Sequence, residues 1–435
     1  MSAVAPNKNG DNMPSVKEAS AATAASAAAS VAASAAASAA AAPAAPVVRE
    51  KLGSGAYGCV FRPPLSNIND FGRVKNFPGQ VTKLFVEKDE ADKALRNSDR
   101  LYSIDPRVGI PIIKYNKTYK KRNIPAELRA NCHIHPGNNM NANVYPVRMP
   151  FLGLSLFGLH NKPDERLRIR KLHPRIIFQN IRKLFETVDI YRKHRIIHGD
   201  IRQSNIMILP NGDMNVIDFD WLFQEDTFIQ RYSGAGFYSS PLETSLWNKS
   251  YFVSGAHLPR AELNSTMSNY LNPYRASVFS LSYPIWLTIT PQLDTALRDI
   301  HAKFMEAHAD MDDRKRFREF QRLSIDTFDS FGLGQTLIYF LDSVLPGWGQ
   351  SDRLEITRHM RLVQTEHGLS DAAIDPFITL LFRLYREVFV QLVHWNPLTR
   401  MRIAEALAKL DVFIGDMNTV LGTRGGGRKR RTRKN

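Results

Sequence analysis

The sequence predicts an α+β fold in which a β-rich N-terminal portion precedes a larger, mainly helical one. Three observations carry that expectation. Strand-like stretches flank a glycine-rich turn within 48–61, and another follows at 80–85. Apolar residues recur at helical spacing over 174–194. Two polar, acidic segments, centred on Asp200 and Asp218, are bounded by short apolar runs that anchor them as rigid loops.

Composition agrees with a folded protein. The 435 residues are 43% hydrophobic and 23% charged, a balance that allows a substantial core. The length permits one large domain or two or three smaller ones. Two cysteines, Cys59 and Cys132, exclude a disulfide scaffold and fit a reducing compartment. No run of about 20 strongly apolar residues is present, so no membrane span is expected.

The two ends read differently from the middle. Residues 19–46 are nearly all Ala and Ser, with no large side chain to build a core, so 1–46 is expected to be a flexible tail. It lacks the basic leader and Leu-rich stretch of a signal peptide. Residues 424–435 read RGGGRKRRTRKN, and removing their seven basic residues lowers the net charge from +16 to +9. Such a segment repels itself and stays solvated. It serves either as an electrostatic arm for nucleic acid or another polyanion, or as a solubilising tail. No aromatic residue is interleaved, so base stacking is not suggested.

Between the tails the elements follow in order. Residues 48–52 read as a strand, and Gly53-Ser54-Gly55-Ala56-Tyr57-Gly58-Cys59-Val60-Phe61 gives GxGxxGxV. Missing side chains let backbone N–H groups approach phosphates closely. The chain resumes as a strand rather than a helix, which argues against a dinucleotide-binding turn and fits a hairpin over a nucleotide. Gln80–Phe85 carries Lys83 among β-branched and aromatic residues; it points either inward at phosphates or outward as an edge-strand lysine. Residues 87–102 read as a helix whose acid could hold that amine, Glu90 or its competitor Glu87. Downstream, Asp200 can meet an attacking hydroxyl, Asn205 and Asp218 offer hard oxygen ligands to magnesium, and Arg202 can neutralise a moving phosphoryl group. Singly, each acid is equally a cap or turn residue. Cys132-His133-Ile134-His135 has metal-ligand types but no second cluster to complete a site, and reads as a loop.

In this order the segments resemble the eukaryotic-type protein kinase superfamily over about residues 47–418. His198-Gly199-Asp200-Ile201-Arg202-Gln203-Ser204-Asn205 stands at the catalytic loop and Asp218-Phe219-Asp220 at the metal-binding motif. Ser240-Pro241-Leu242-Glu243 looks like the end of an activation segment, and Asp329-Ser330-Phe331-Gly332 like the start of the buried central helix. Asn396–Arg400 looks like the turn whose arginine pairs with Glu243. The Ser-Pro-Leu-Glu ending and basic tail are similar to divergent Ser/Thr kinases of large nucleocytoplasmic DNA viruses.

The resemblance implies a bilobal protein-kinase-like fold. Its N-lobe would span 47–152 and its C-lobe 153–418, with an insertion at about 244–328 and tails at 1–46 and 419–435. ATP and Mg2+ would lie between the lobes, and a Ser or Thr of a protein substrate would accept phosphate. By the same resemblance Gly53, Gly55 and Gly58 cover the phosphates, and Val60, Val81 and Met207 enclose adenine. Met149 is the gatekeeper, and backbone near Phe151 and Leu152 bonds the adenine edge. Lys83 holds phosphates, Glu90 orients it, Asp200 is the base, Arg202 assists it, and Asn205 and Asp218 bind magnesium. The expected location is intracellular, in host cytoplasm or a virion.

The chain also departs from the family's pattern. Gly199 replaces an arginine that reads activation-loop phosphate, Arg202 replaces lysine, Asp220 replaces glycine, and Ala235 replaces threonine. Residues 62–80 lengthen the approach to Lys83. Within 244–328 the stretches 293–309 and 311–323 read as helices, the second crowded with Arg314, Lys315, Arg316, Arg318 and Arg322. That run is a docking surface for an acidic partner or a solvated face. Two other functions stand beside this one: a pseudokinase scaffold binding nucleotide or partners without turnover, suggested by Gly199 and Asp220, and a basic nucleic-acid-binding structural or virion protein using the 424–435 tail. A small-molecule kinase on this fold is a further variant.

Overall fold

A glycine turn and alternating apolar residues build the first hairpin. In the computed structural model, strand β1 (Glu50–Gly55) pairs antiparallel with β2 (Gly58–Arg62), Gly55 opposite Gly58. Strand β3 (Gln80–Phe85) occupies the range predicted for it, burying Val81, Thr82, Leu84 and Phe85 and leaving Lys83 half-buried. Helix α1 (Lys88–Ile104) follows, its first turn carrying Asp89 and Glu90 where the helix dipole favours acids. Short strands β4 (Ile113–Lys114) and β5 (Tyr119–Lys120) precede β6 (Asn143–Pro150). These six form one sheet in the order β1-β2-β3-β6-β4, with β5 also on β6. The structure describes residues 50–55, 58–62, 79–114, 118–124, 132, 140–231, 241–247, 252–253, 293–345, 348, 353–394 and 396–422. Residues 1–46, Ala235, residues 63–78, His133–His135 and 423–435 lie outside them; the tail expected from 419 does not begin there, because Thr419 and Val420 still belong to the last helix.

The two cysteines, expected to fit a reducing compartment, are joined in the structure. Cys59 on β2 is disulfide-bonded to Cys132, with Cα atoms 5.9 Å apart. The pair lies in an apolar cluster with Phe61, Leu84, Ile124 and Val144. Packing against the outer side of β2 and β3 brings together residues 73 positions apart, a proximity that spacing does not reveal.

The rest is mainly helical. Strand β7 (Leu154–Ser155) leads into α2 (Leu156–His160), capped by Ser155 Oγ, which accepts from Gly158 N at 2.9 Å. Helices α3 (Pro163–Arg170) and α4 (Pro174–Lys193) both begin with proline, whose missing N–H costs nothing in a first turn. The helix expected over 174–194 forms as α4, which buries Ile177, Ile181, Leu184, Phe185, Val188 and Tyr191 and leaves Ile176 exposed. Strands β8 (Ile196–Ile197), β9 (Ile206–Ile208), β10 (Met214–Val216) and β11 (Phe223–Gln224) make two small sheets, β10-β9-β7 and β11-β8. These short pairs fix both ends of the acidic loops.

Helices α5 (Glu225–Arg231), α6 (Leu293–Ala307) and α7 (Asp313–Asp326) lead to α8 (Phe328–Val344). Every residue of α8 except Asp342 and Ser343 is buried, as its apolar composition on all faces requires. Helices α9 (Arg353–His367), α10 (Asp371–Leu384) and α11 (Ile403–Val420) complete the main core around α4 and α8. Helices α6 and α7 supply Phe304 and Phe320 to a second cluster with Phe228, Trp247 and Phe252. On α7, Lys315, Arg316 and Arg322 pair with Asp312, Asp313 and Glu319, so much of its basic run is neutralised locally. Among the described residues no helix is long and apolar enough to cross a membrane.

Candidate functional site

The site forms where the sheet meets the helices. A small cluster of Leu101 from α1 with Tyr191, Ile196, Phe219 and Leu222 joins the two. Lys83, centred on β3, is opposite Val60 on β2 and Val147 on β6. Its Nζ reaches across to Asp218 Oδ1 at 3.0 Å and Asp220 Oδ2 at 3.3 Å. The inward alternative for Lys83 is therefore the one adopted.

The loop after β8 is held from beneath. Asp329, at the start of α8, accepts His198 N–H at 2.7 Å and Gly199 N–H at 3.0 Å. The His198 ring accepts Asp200 N–H on Nδ1 at 3.3 Å and lies 3.1 Å from Ile217 O through Nε2. A carbonyl can only accept, so the ring proton sits on Nε2. Gly199 adopts φ +76°, and a Cβ there would lie 2.9 Å from the Phe228 ring and 3.1 Å from Trp221 O. The position replacing the family's arginine is thus one where a side chain is strained and crowded.

Asp200 faces the same space as Lys83's partners. Asn205 Nδ2 donates to Asp200 Oδ2 at 2.8 Å and to Asp200 O at 2.9 Å. Arg202 Nε lies 3.1 Å from Asp200 Oδ1. Ile217 N–H donates to Asn205 O at 2.8 Å, tying the two acidic segments together. Asp218 then takes a left-handed conformation, φ +67°, unusual without glycine and of a kind that concentrates at functional sites.

Three carboxylates here confront two cations, and their acidities separate. Burial pushes Asp200 above the ordinary carboxylate range, against the pull of Arg202. Burial also opposes ionisation of Asp218, but Lys83 overcomes it and holds Asp218 down to about 2. Burial pushes Asp220 up to about 7, with Lys83 pulling it down and Asp218 pushing it further up. Burial lowers Lys83, yet Asp218 and Asp220 hold its ammonium above the usual amine range.

Other predicted residues surround this centre. Gly53, Gly55 and Gly58 lie on β1 and β2 at the hairpin turn; Ala56 and Tyr57 are outside the described residues. Val81 is buried opposite Met149, and Met207 sits mid-strand on β9 between Asn215 and Ser155. Gly153, φ +94°, permits the chain after β6 to press against the Ile208 carbonyl, which brings Leu152 close to β9. One hinge expectation changes: Phe151 N–H donates to Gly79 O at 2.7 Å and is engaged with its neighbour. The Phe151 ring lies under the Arg62 guanidinium, 4.1 Å away.

Glu90 is not where the resemblance put it. Its Oε2 is 3.8 Å from Lys93, one turn along α1, while both carboxylates on Lys83 come from the Asp218 segment. The competitor Glu87 is exposed at the helix start. The turn at Phe219–Trp221 packs beneath α1, with Asn97 Nδ2 donating to Phe219 O at 2.6 Å, and so supplies the acid instead. Asn97 itself carried no sequence signal. Asp329 did, as the first acid of an apolar helix.

The resemblance to a late turn is met in detail: Arg400 binds Glu243 through two bonds of 2.7 and 2.8 Å.

Comparison with known proteins adds a partial likeness. No protein-family model matches the chain. An 85-residue stretch is 29% identical to the NUAK family SNF1-like kinase 1 of mouse, and equally to that of human. The stretch is 19% of this chain, which spans only 12% of the length of these curated relatives. That likeness points to a kinase relationship over part of the chain.

Proposed function

We propose that this chain is a kinase-like phosphotransferase of bilobal architecture, moving the γ-phosphoryl group of ATP to a Ser or Thr hydroxyl of a protein. The observation that carries this reading is the convergence of Lys83, Asp200, Asn205 and Asp218, drawn from sequence positions up to 135 apart. A cation reaching from a sheet toward carboxylates beneath it suits a polyphosphate bound between them. The partial likeness to an SNF1-like kinase supports a kinase class.

In this reading Asp200 accepts the proton of the acceptor hydroxyl, whose oxygen bonds to the γ-phosphorus as the bond to the ADP oxygen breaks. Burial raises the basicity of Asp200, and Asn205 and Arg202 fix its orientation. Lys83 holds the non-transferred phosphates. A divalent ion would be held by Asp218 and by Asn205 Oδ1, the amide oxygen that accepts from Ser204 Oγ at 3.2 Å while Nδ2 donates to Asp200. The donor set fits: both are hard oxygens, and Asp218 keeps a third of its side chain exposed. Bound there, magnesium would neutralise charge on the phosphates. Among the described residues no cluster of three His, Cys, Asp or Glu is arranged to hold a metal, so water and phosphate oxygens would complete the shell of such an ion.

A pseudokinase scaffold is the second reading, favoured by the double engagement of Lys83. Incubation with γ-labelled ATP and generic basic protein substrates, with and without magnesium, separates the two. Magnesium-dependent label on Ser or Thr, located by mass spectrometry, supports the enzyme. Nucleotide binding without any transfer supports the scaffold.

A further inference from the structure

With Glu90 turned to Lys93, the amine of Lys83 needs another support. We propose that Asp220 is the positioning residue for Lys83, a role the helix-borne acid does not fill here. The inference rests on the phosphotransferase reading above and concerns how that site keeps its lysine aimed.

Asp220 Oδ2 lies 3.3 Å from Lys83 Nζ, and the Asp220 side chain is only 4% exposed. Its Oδ1 has no hydrogen-bond partner among the described residues. The ionised form of a carboxylate this enclosed needs a cation beside it, and Lys83 is the cation the geometry gives it. The backbone beneath Asp220 is rigid. Phe219 O accepts from Asn97 Nδ2 at 2.6 Å and from Leu222 N at 3.1 Å. The Phe219 ring packs with Leu101 and Tyr191 and meets His198 edge-on.

Asp218 differs in the property that matters. Its side chain is 33% exposed, so it can turn from Lys83 toward a ligand in the open space while Asp220 cannot. One turn thus supplies two carboxylates with separate duties: Asp218 for the ligand side, Asp220 for the lysine. The support comes from the same segment as Asp218, so aiming Lys83 does not require α1 to bring Glu90 inward. The residue that replaces glycine in the family's motif acquires a use.

The test compares wild type, Asp220→Asn, Asp220→Glu and Glu90→Gln, each checked for folding by circular dichroism. Calorimetry measures the Kd for ATP with and without magnesium, and steady-state labelling separates KM from kcat. Losing a hydrogen bond to a charged group should weaken ATP binding by about tenfold or more in Asp220→Asn. KM for ATP should rise in step, with a smaller fall in kcat, and Asp220→Glu should recover part of the loss by restoring the charge. A folded Asp220→Asn that binds ATP like wild type overturns the inference, as does the loss appearing in Glu90→Gln instead. If wild type itself binds no ATP, the phosphotransferase reading fails and this inference with it.

Discussion

Replacing Arg400 by methionine gives the most exposed test of the packing described here. The side chains of Arg400 and Glu243 are both completely inaccessible to solvent, joined by two bonds of 2.7 and 2.8 Å. Arg400 also donates to Thr327 Oγ1 at 3.1 Å and to His394 O at 2.7 Å. Methionine fills much of the arginine stem but leaves Glu243 a buried charge without its cation, which costs about 3–5 kcal/mol. The two orphaned acceptors add about 1 kcal/mol each at most. The expected destabilisation is therefore about 3–7 kcal/mol, enough to threaten a domain whose whole stability is on the order of 5–15 kcal/mol. In the double variant Arg400→Met/Glu243→Leu both charges leave together, and at least about 2 kcal/mol should return. Urea unfolding followed by tryptophan fluorescence reads both values. A single variant costing under about 1 kcal/mol, or a double variant that merely adds the two single losses, refutes the reasoning.

Other consequences are simpler. Gly199→Ala should cost about 1–3 kcal/mol by thermal unfolding, because its Cβ meets Phe228 at 2.9 Å with φ at +76°; an unchanged midpoint contradicts the local geometry. Reducing the Cys59–Cys132 bond, which closes a loop of 73 residues, should lower stability by up to about 4 kcal/mol, whereas Cys59→Ser should be indifferent to reductant. Asp220 holds its proton more tightly when folded, since burial lifts it from 3.8 to about 7. Wild type should therefore lose stability relative to Asp220→Asn as pH rises across that window, and the difference should flatten above it. A difference that grows in wild type's favour over the same window contradicts that shift.

Local pattern was legible wherever the residues themselves dictate it. The strand Gln80–Phe85 follows from its β-branched and aromatic residues, and the helix Pro174–Lys193 from apolar spacing. The helices predicted near 293–309 and 311–323 form at Leu293–Ala307 and Asp313–Asp326. The grouping of Lys83, Asp200, Asn205 and Asp218 was readable from order and motif. Choice of partner was not. Whether Lys83 meets Glu90 or Asp220 depends on how α1 seats on the Phe219–Trp221 turn, a contact between segments about 120 residues apart, as the Asn97–Phe219 bond is. The Cys59–Cys132 bond is hidden for the same reason, and Gly199 became intelligible only when Phe228 and Trp221 were seen around it.

The measurement that bears most directly on the central claim is phosphoryl transfer by purified Asp200→Asn beside wild type, with ATP affinity recorded for both. The account predicts that the variant binds ATP within about threefold of wild type, because Lys83 and Asp218 are untouched, while its transfer rate falls by about 100-fold or more. Transfer by Asp200→Asn at the wild-type rate contradicts it.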